Sequence, residues 1–257
     1  MHFTSEIATD GVMERLFELN VGGERVPGVI WAPIGASQSR PLVLMGHGGS
    51  QHKKFASLVS RAHKYVTAFG FAVAAIDAPS HGERTPSKQT ARFVAEIQKK
   101  MAEGEPIGET VARETARLAL QAVPEWKATL DAVQTLDFVG ADGPVGYWGV
   151  SMGGAIGVPF IAAEPRITAA VFGLAGLLSG HEALADAAAR ITIPVEFVLQ
   201  WGDEIVSRDS GIALFDALGS REKTLHANPG GHMGIPSFEV ESWERFFRRH
   251  LQMQGAG

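Results

Sequence analysis

From residue 41 onward, short apolar runs alternate with stretches of helical spacing, and this alternation restricts the fold more than any other property of the chain. The runs are Pro41–Met45, Ala72–Ile76, Val145–Val150, Ala169–Phe172, Val195–Gln200 and Lys223–His226. Most are apolar at nearly every position rather than at every second one. Such strands need cover on both faces, which a parallel sheet between two helical layers provides. The stretches Phe55–Thr67, Ala128–Leu136, Gly153–Ala163, His181–Arg190, Ser210–Ala217 and Ser237–His250 carry helical patterns. The expected fold is therefore α/β, with a doubly wound, mostly parallel sheet.

Two regions depart from this rhythm. Met13–Asn20 alternates, with Met13, Arg15, Phe17 and Leu19 on one face and Glu14, Leu16, Glu18 and Asn20 on the other. Val26–Pro33 follows after a Gly22-Gly23 turn, so the pair reads as an antiparallel hairpin at a sheet edge. Between Thr85 and Pro124 there is no strand signal, only the helical patterns Arg92–Met101 and Glu109–Ala122 around Gly104-Glu105-Pro106. This insertion, about residues 86–124, reads equally as a small lid over the sheet edge or as a long crossover. Length of 257 residues and 45% hydrophobic content suit one full core, so a single domain over residues 1–257 is expected. Residues Gln252 to Gly257 are expected to fray.

Composition narrows the functional classes. A net charge of −5 without a basic cluster argues against nucleic acid and anionic membranes as partners. With 0 cysteines, disulfides, thiolate metal sites and a cysteine nucleophile are excluded. The N-terminal residues lack a basic and an apolar region, and the longest apolar run, near Ala169 to Leu178, is too short and too glycine-broken to span a bilayer. Cytoplasmic location without membrane insertion is the expectation.

Chemistry enters at Gly149-Val150-Ser151-Met152-Gly153. This G-x-S-x-G ends an apolar strand and precedes a helix, the setting of a serine held on a tight strand-to-helix turn. Gly149 and Gly153 carry no Cβ and let strand and helix approach closely. A chain with 30 glycines meets this pattern by chance often enough that context must carry it. Downstream, Asp203 follows the strand Val195–Gln200, and His232 lies in the loop Pro229-Gly230-Gly231-His232-Met233-Gly234. Nucleophile, acid and histidine thus occur in the chain order expected of such an elbow, each at the C-terminal end of a strand. The imidazole of His232 would take the Ser151 proton, and Asp203 would orient the imidazole. Glu204, next to Asp203, is the alternative acid.

A fourth segment, Gly46-His47-Gly48-Gly49-Ser50, follows the first apolar run. Gly49 is expected to supply one backbone N–H of an oxyanion hole and Met152 the other. A plain strand-to-helix turn is the competing reading of this loop. His47 is expected to hydrogen-bond locally, and Asp77 and His81 in Asp77-Ala78-Pro79-Ser80-His81-Gly82 to build a loop. His47, His52 and His81 match no common metal-ligand spacing, so no metal is expected. No G-x-G-x-x-G follows a strand and no P-loop is present, so nucleotide binding has no support.

With these segments in hand, the chain resembles the α/β-hydrolase superfamily, and within it the dienelactone hydrolase-related branch of small serine esterases. The resemblance runs over nearly the whole chain, from Gly22-Gly23-Glu24-Arg25-Val26-Pro27-Gly28 through the elbow to Asp203-Glu204-Ile205-Val206 and Gly231-His232. It implies a Ser151–Asp203–His232 triad working without metal or cofactor on a small-molecule ester. Dienelactone hydrolases proper use cysteine where this chain has Ser151, which favours general ester chemistry. The expected activity is a serine carboxylesterase for small to medium acyl esters through an acyl-enzyme, with Phe93 and Ile97 of the insertion lining the pocket. The same triad could serve a thioester, amide or C–C bond, and a non-catalytic binding protein on this scaffold is the remaining alternative. Monomer and dimer fit the sequence equally.

Overall fold

A computed structural model describes residues 1–252 of the chain. The chain order is β1 (His2–Thr9), β2 (Val12–Val21), β3 (Glu24–Pro33), β4 (Leu42–Gly46), α1 (Ala56–Phe69), β5 (Ala72–Ile76), α2 (Lys88–Glu103), α3 (Gly108–Val133), β6 (Val145–Val150), α4 (Met152–Ala163), β7 (Ile167–Gly173), α5 (Glu182–Arg190), β8 (Val195–Gln200), α6 (Arg208–Ala217), β9 (Lys223–Asn228) and α7 (Phe238–Leu251).

The strands form one nine-stranded sheet in the order β1-β2-β3-β5-β4-β6-β7-β8-β9. The first three strands pair antiparallel with one another, and β3 joins β5 antiparallel. From β5 to β9 every pairing is parallel. This is the doubly wound α/β architecture the alternation implies. Strand β4 has β5 on one side and β6 on the other, so the chain leaves β4 in one direction and later returns in the other. The crevice beyond the carboxyl ends of β4 and β6 is the switch point where such sheets place their sites.

Alternate residues of the central strands enter two separate cores. Leu42, Leu44, Ala72, Ala74 and Ile76 pack with Trp126, Ile156 and Phe160 on the face covered by α3, α4, α5 and α6. Val43, Met45, Val73 and Ala75 pack with Leu58, Tyr65, Trp243 and Phe247 on the face covered by α1 and α7. Burial on both faces is why these runs show no alternation.

The structure revises the sequence reading in three places. Strand β1 went unforeseen, because almost all of its side chains are exposed and its pattern carries no buried face. It takes the sheet edge beside β2, so the Gly22-Gly23 hairpin lies one strand inside the edge. Pro124 does not end a helix. The patterns Glu109–Ala122 and Ala128–Leu136 belong to the single 26-residue helix α3. Leu118, Ala122, Trp126 and Leu130 pack into the core on both sides of Pro124. The carbonyl left without its i+4 donor belongs to Leu120, which is 81% exposed, so solvent can serve it. The frayed end expected at Gln252 to Gly257 falls, from residue 253 on, outside the described residues.

Candidate active site

Ser151 sits between β6 and α4 with φ 57° and ψ −125°, a conformation a non-glycine residue holds only when its surroundings enforce it. Its N–H donates to Gly173 O at 3.0 Å, and its carbonyl accepts from Ala155 N–H at 2.9 Å. Close approach of α4 makes the turn. A Cβ on Gly149 would lie 2.7 Å from the Gly153 carbonyl carbon, and one on Gly153 would collide with the Gly46 carbonyl. Ser151 precedes the helix yet its side chain caps nothing there. Its Oγ instead meets His232 Nε2 at 2.7 Å.

His232 Nδ1 lies 2.7 Å from Asp203 Oδ2, and the two side chains are 5% and 1% exposed. The other Asp203 oxygen accepts from the Ile205 and Val206 amides, each at 2.8 Å. Burial pushes the Asp203 carboxyl up, but the hydrogen bonds from His232 and from the Val206 and Ile205 amides outweigh it and hold the group below the usual carboxylate range. An ionised carboxylate only accepts. Nδ1 of His232 therefore carries the proton, and Nε2 is the acceptor facing the Ser151 hydroxyl.

Glu204 points elsewhere. Its Oε2 accepts from the backbone N–H of His232 at 2.9 Å. It anchors the histidine loop, while Asp203 holds the ring. The loop is further tied down by Gln200 Nε2, which donates to Gly231 O at 3.1 Å.

The loop after β4 borders the same space. Gly48 N–H is engaged by Gln51 Oε1 at 3.1 Å. Among the described residues the N–H groups of Gly49 and Met152 have no hydrogen-bond partner. His47 is a brace: its Nε2 accepts from Ala78 N–H at 3.0 Å, and its Nδ1–H donates to Gly48 O at 2.8 Å. Burial pushes its imidazole down to about 4, which keeps it neutral and able to accept. Asp77, wholly buried, joins the two loops: its carboxylate accepts from Lys53 N–H at 2.9 Å, Lys53 Nζ at 2.8 Å and Glu83 N–H at 3.0 Å. His81 Nδ1 faces Pro79 O at 2.9 Å and His52 Nδ1 accepts from Lys54 N–H at 3.2 Å, so both rings serve their own loops.

Two clefts meet at Ser151. One, of about 640 Å³, is bounded by Ala119, Val123, Pro159, Leu184 and Val206. The other, of about 500 Å³, contains Phe93, Ile97, Met101, Gly49, His232 and Met233. Val111 and Thr115 of α3, with Met152, Leu174 and Ile205, border both. Phe93 and Ile97 thus share a cleft with Ser151. Sequence reasoning missed the larger cleft. Its walls come from α3, α4, α5 and the loop before α6, and nothing local marks their inner faces as facing a cavity rather than the core.

No protein-family model and no curated protein matches the chain. Among solved structures it is similar to the PEG-bound complex of a cold-adapted esterase from an Arctic intertidal metagenomic library, at 35% identity and a TM-score of 0.79, over 98% of this chain and 100% of that one. A native structure of a protein so described is similar at 31% identity and a TM-score of 0.74, with the same coverage of 98% and 100%. The acetyl xylan esterase from Paenibacillus sp. R4 shares the fold at 16% identity and a TM-score of 0.73, over 97% of this chain and 88% of that one.

Proposed function

This chain belongs to the α/β-hydrolase superfamily, and we propose that it hydrolyses small to medium carboxylic esters through an acyl-enzyme on Ser151. The observation that carries this reading is the continuous line from Ser151 Oγ to His232 Nε2 and from His232 Nδ1 to Asp203, with both contacts at 2.7 Å.

In this mechanism His232 Nε2 takes the hydroxyl proton as Ser151 Oγ attacks the acyl carbon. The carbonyl oxygen gains charge and is met by the free amides of Gly49 and Met152, the second at the N-terminus of α4. The tetrahedral intermediate collapses, the alcohol leaves with the proton from His232, and the acyl group stays on Ser151. A water deprotonated by His232 then attacks the acyl carbon, the Ser151 oxygen leaves and recovers its proton, and the acid is released. Asp203 stabilises the imidazolium formed in each half and keeps its own negative charge. The two clefts flanking Ser151 suit an acyl and an alcohol portion of modest size, and the α2–α3 segment roofs one of them as a lid.

Hydrolysis of a p-nitrophenyl ester series from acetate upward, by wild type and Ser151→Ala in parallel, tests the proposal. Turnover in wild type should fall by several orders of magnitude in the variant, and the chain-length optimum should reflect the cleft that receives the acyl group. No ester turnover, together with covalent labelling of Ser151 by an organophosphonate, would transfer the chemistry to a thioester, amide or C–C bond. Absence of labelling would favour a binding protein.

A further inference from the structure

On the α7 side of β8 and β9, remote in function from the clefts, two buried carboxylates face one imidazole. Glu196 near the start of β8 is 5% exposed and Glu239 in the first turn of α7 is 2% exposed. His226 of β9 stands between them, its Nδ1 at 2.8 Å from Glu239 Oε2 and 3.7 Å from Glu196 Oε1. One ligand atom from each residue lies within 4.8 Å of the others. Glu239 Oε1 is oriented by Asn228 Nδ2, which donates at 3.0 Å. Glu196 Oε1 has no hydrogen-bond partner among the described residues, although it is buried and directed at the imidazole.

The charge balance makes this arrangement unusual. Neither carboxylate has a lysine or arginine within ion-pair distance among the described residues; each has only His226. With both carboxylates ionised, even a protonated imidazole would leave one negative charge uncompensated, burial pushes the Glu196 carboxyl up against that state, and buried charges are normally paired or coordinated to metal. A divalent cation would balance both carboxylates while the imidazole stays neutral as its third ligand. Nitrogen and oxygen atoms around a four-coordinate zinc at about 2.1 Å lie roughly 3.4 Å apart, so the three ligands reach that spacing through small side-chain shifts. The His226 side chain is 30% exposed, which gives the ion an entry path and water access to complete its shell.

We propose that Glu196, His226 and Glu239 form a binding site for a divalent transition-metal cation of the zinc type. The site is structural. His226 and Glu239 bracket the segment that carries His232, and Glu196 lies on the strand that leads to Asp203, so the ion would clamp β8, β9 and α7 together behind the histidine loop.

Chelator-treated wild type, His226→Ala and Glu196→Gln should be titrated calorimetrically with zinc chloride, and their thermal midpoints measured with and without zinc. Wild type should bind one equivalent and gain thermal stability. Each variant should bind at least tenfold more weakly and gain little, while keeping the far-UV circular dichroism of wild type. Absence of saturable zinc binding in wild type would overturn the proposal, as would equal affinity in both variants, which would place the zinc on other histidines. The two substitutions act on different elements, and His226 is partly exposed, so a folding defect in one leaves the other to decide.

Discussion

Asp203 and Glu204 are adjacent acids on one turn, and the structure divides two tasks between them. Asp203 binds the imidazole, whereas Glu204 binds the backbone N–H of the same histidine. Asp203→Asn should therefore lower kcat by roughly 10⁴, because an amide no longer enforces the Nδ1–H tautomer. Glu204→Gln should change kcat less than about tenfold and cost about 1 kcal/mol of stability, the net worth of one hydrogen bond. Kinetics and thermal denaturation of both variants check this, and the opposite ranking would move the acid by one position. Because Asp203 is held below the usual carboxylate range, it stays ionised across the acid limb of the pH profile. Asp203 should therefore add no inflection of its own to log kcat/KM above the ordinary carboxylate range, and an inflection abolished there by Asp203→Asn would count against this account.

Among the helices, α2 is the least committed to the core: of its side chains only that of Thr90 is buried. Ion pairs and hydrogen bonds to α3 hold it: Arg113 meets Glu96 at 2.9 Å, and Thr90 Oγ1 donates to Glu114 Oε1 and accepts from Arg117 Nη2, each at 3.1 Å. Its N-terminus is capped by Ser87, whose Oγ accepts from Thr90 N–H at 3.0 Å. An element with so little buried apolar surface should open below the global unfolding free energy. Ser87→Ala should cost α2 about 1 kcal/mol and speed its amide hydrogen exchange roughly fivefold. The thermal midpoint should stay in place and KM should change, because Phe93 and Ile97 ride on this helix. A midpoint that falls with the substitution would make α2 part of the cooperative core. Helix α3 behaves differently: its second half is anchored in the core, and Arg84 grips Glu125 next to Pro124 through two contacts at 2.7 and 2.8 Å.

At the scale of the molecule, the loops after β4 and β5 are bound together through the buried Asp77. Burial pushes its carboxyl up, but the Glu83 amide and the ammonium and amide of Lys53 outweigh it and hold the group below the usual range. A carboxylate depressed in the folded state stabilises the fold above its unfolded value of about 3.9 and loses that contribution as pH falls through the folded value. Wild type should accordingly lose thermal stability below about pH 4, and part of that loss should trace to Asp77. Asp77→Asn leaves the Lys53 ammonium, 4% exposed, with only the solvent-exposed Glu83. It should cost about 3–5 kcal/mol at neutral pH and flatten the acid limb of the stability curve. Calorimetry of both proteins from neutral pH to about pH 3 checks this, and parallel pH profiles would remove Asp77 from the account. Among the described residues no helix is long and apolar enough to cross a membrane.

What could be read from the chain by itself was whatever is local. The doubly buried runs announced the sheet because strands covered on both faces must be apolar throughout. The elbow was legible because Gly149, Ser151 and Gly153 sit in one pentapeptide whose steric demands are met within a few residues. Order along the chain then singled out Asp203 and His232, with Glu204 as the alternative acid. Tertiary structure decided the rest, since each remaining question turned on contacts between distant segments. The direction of the two acids depends on a loop that follows β9. The continuity of α3 depends on packing that overrides the local effect of Pro124. The β1 edge strand depends on a backbone ladder with β2 that leaves almost no trace in side-chain pattern. The larger cleft and the Glu196–His226–Glu239 cluster are assembled from separate elements, and no spacing in a linear sequence encodes that convergence.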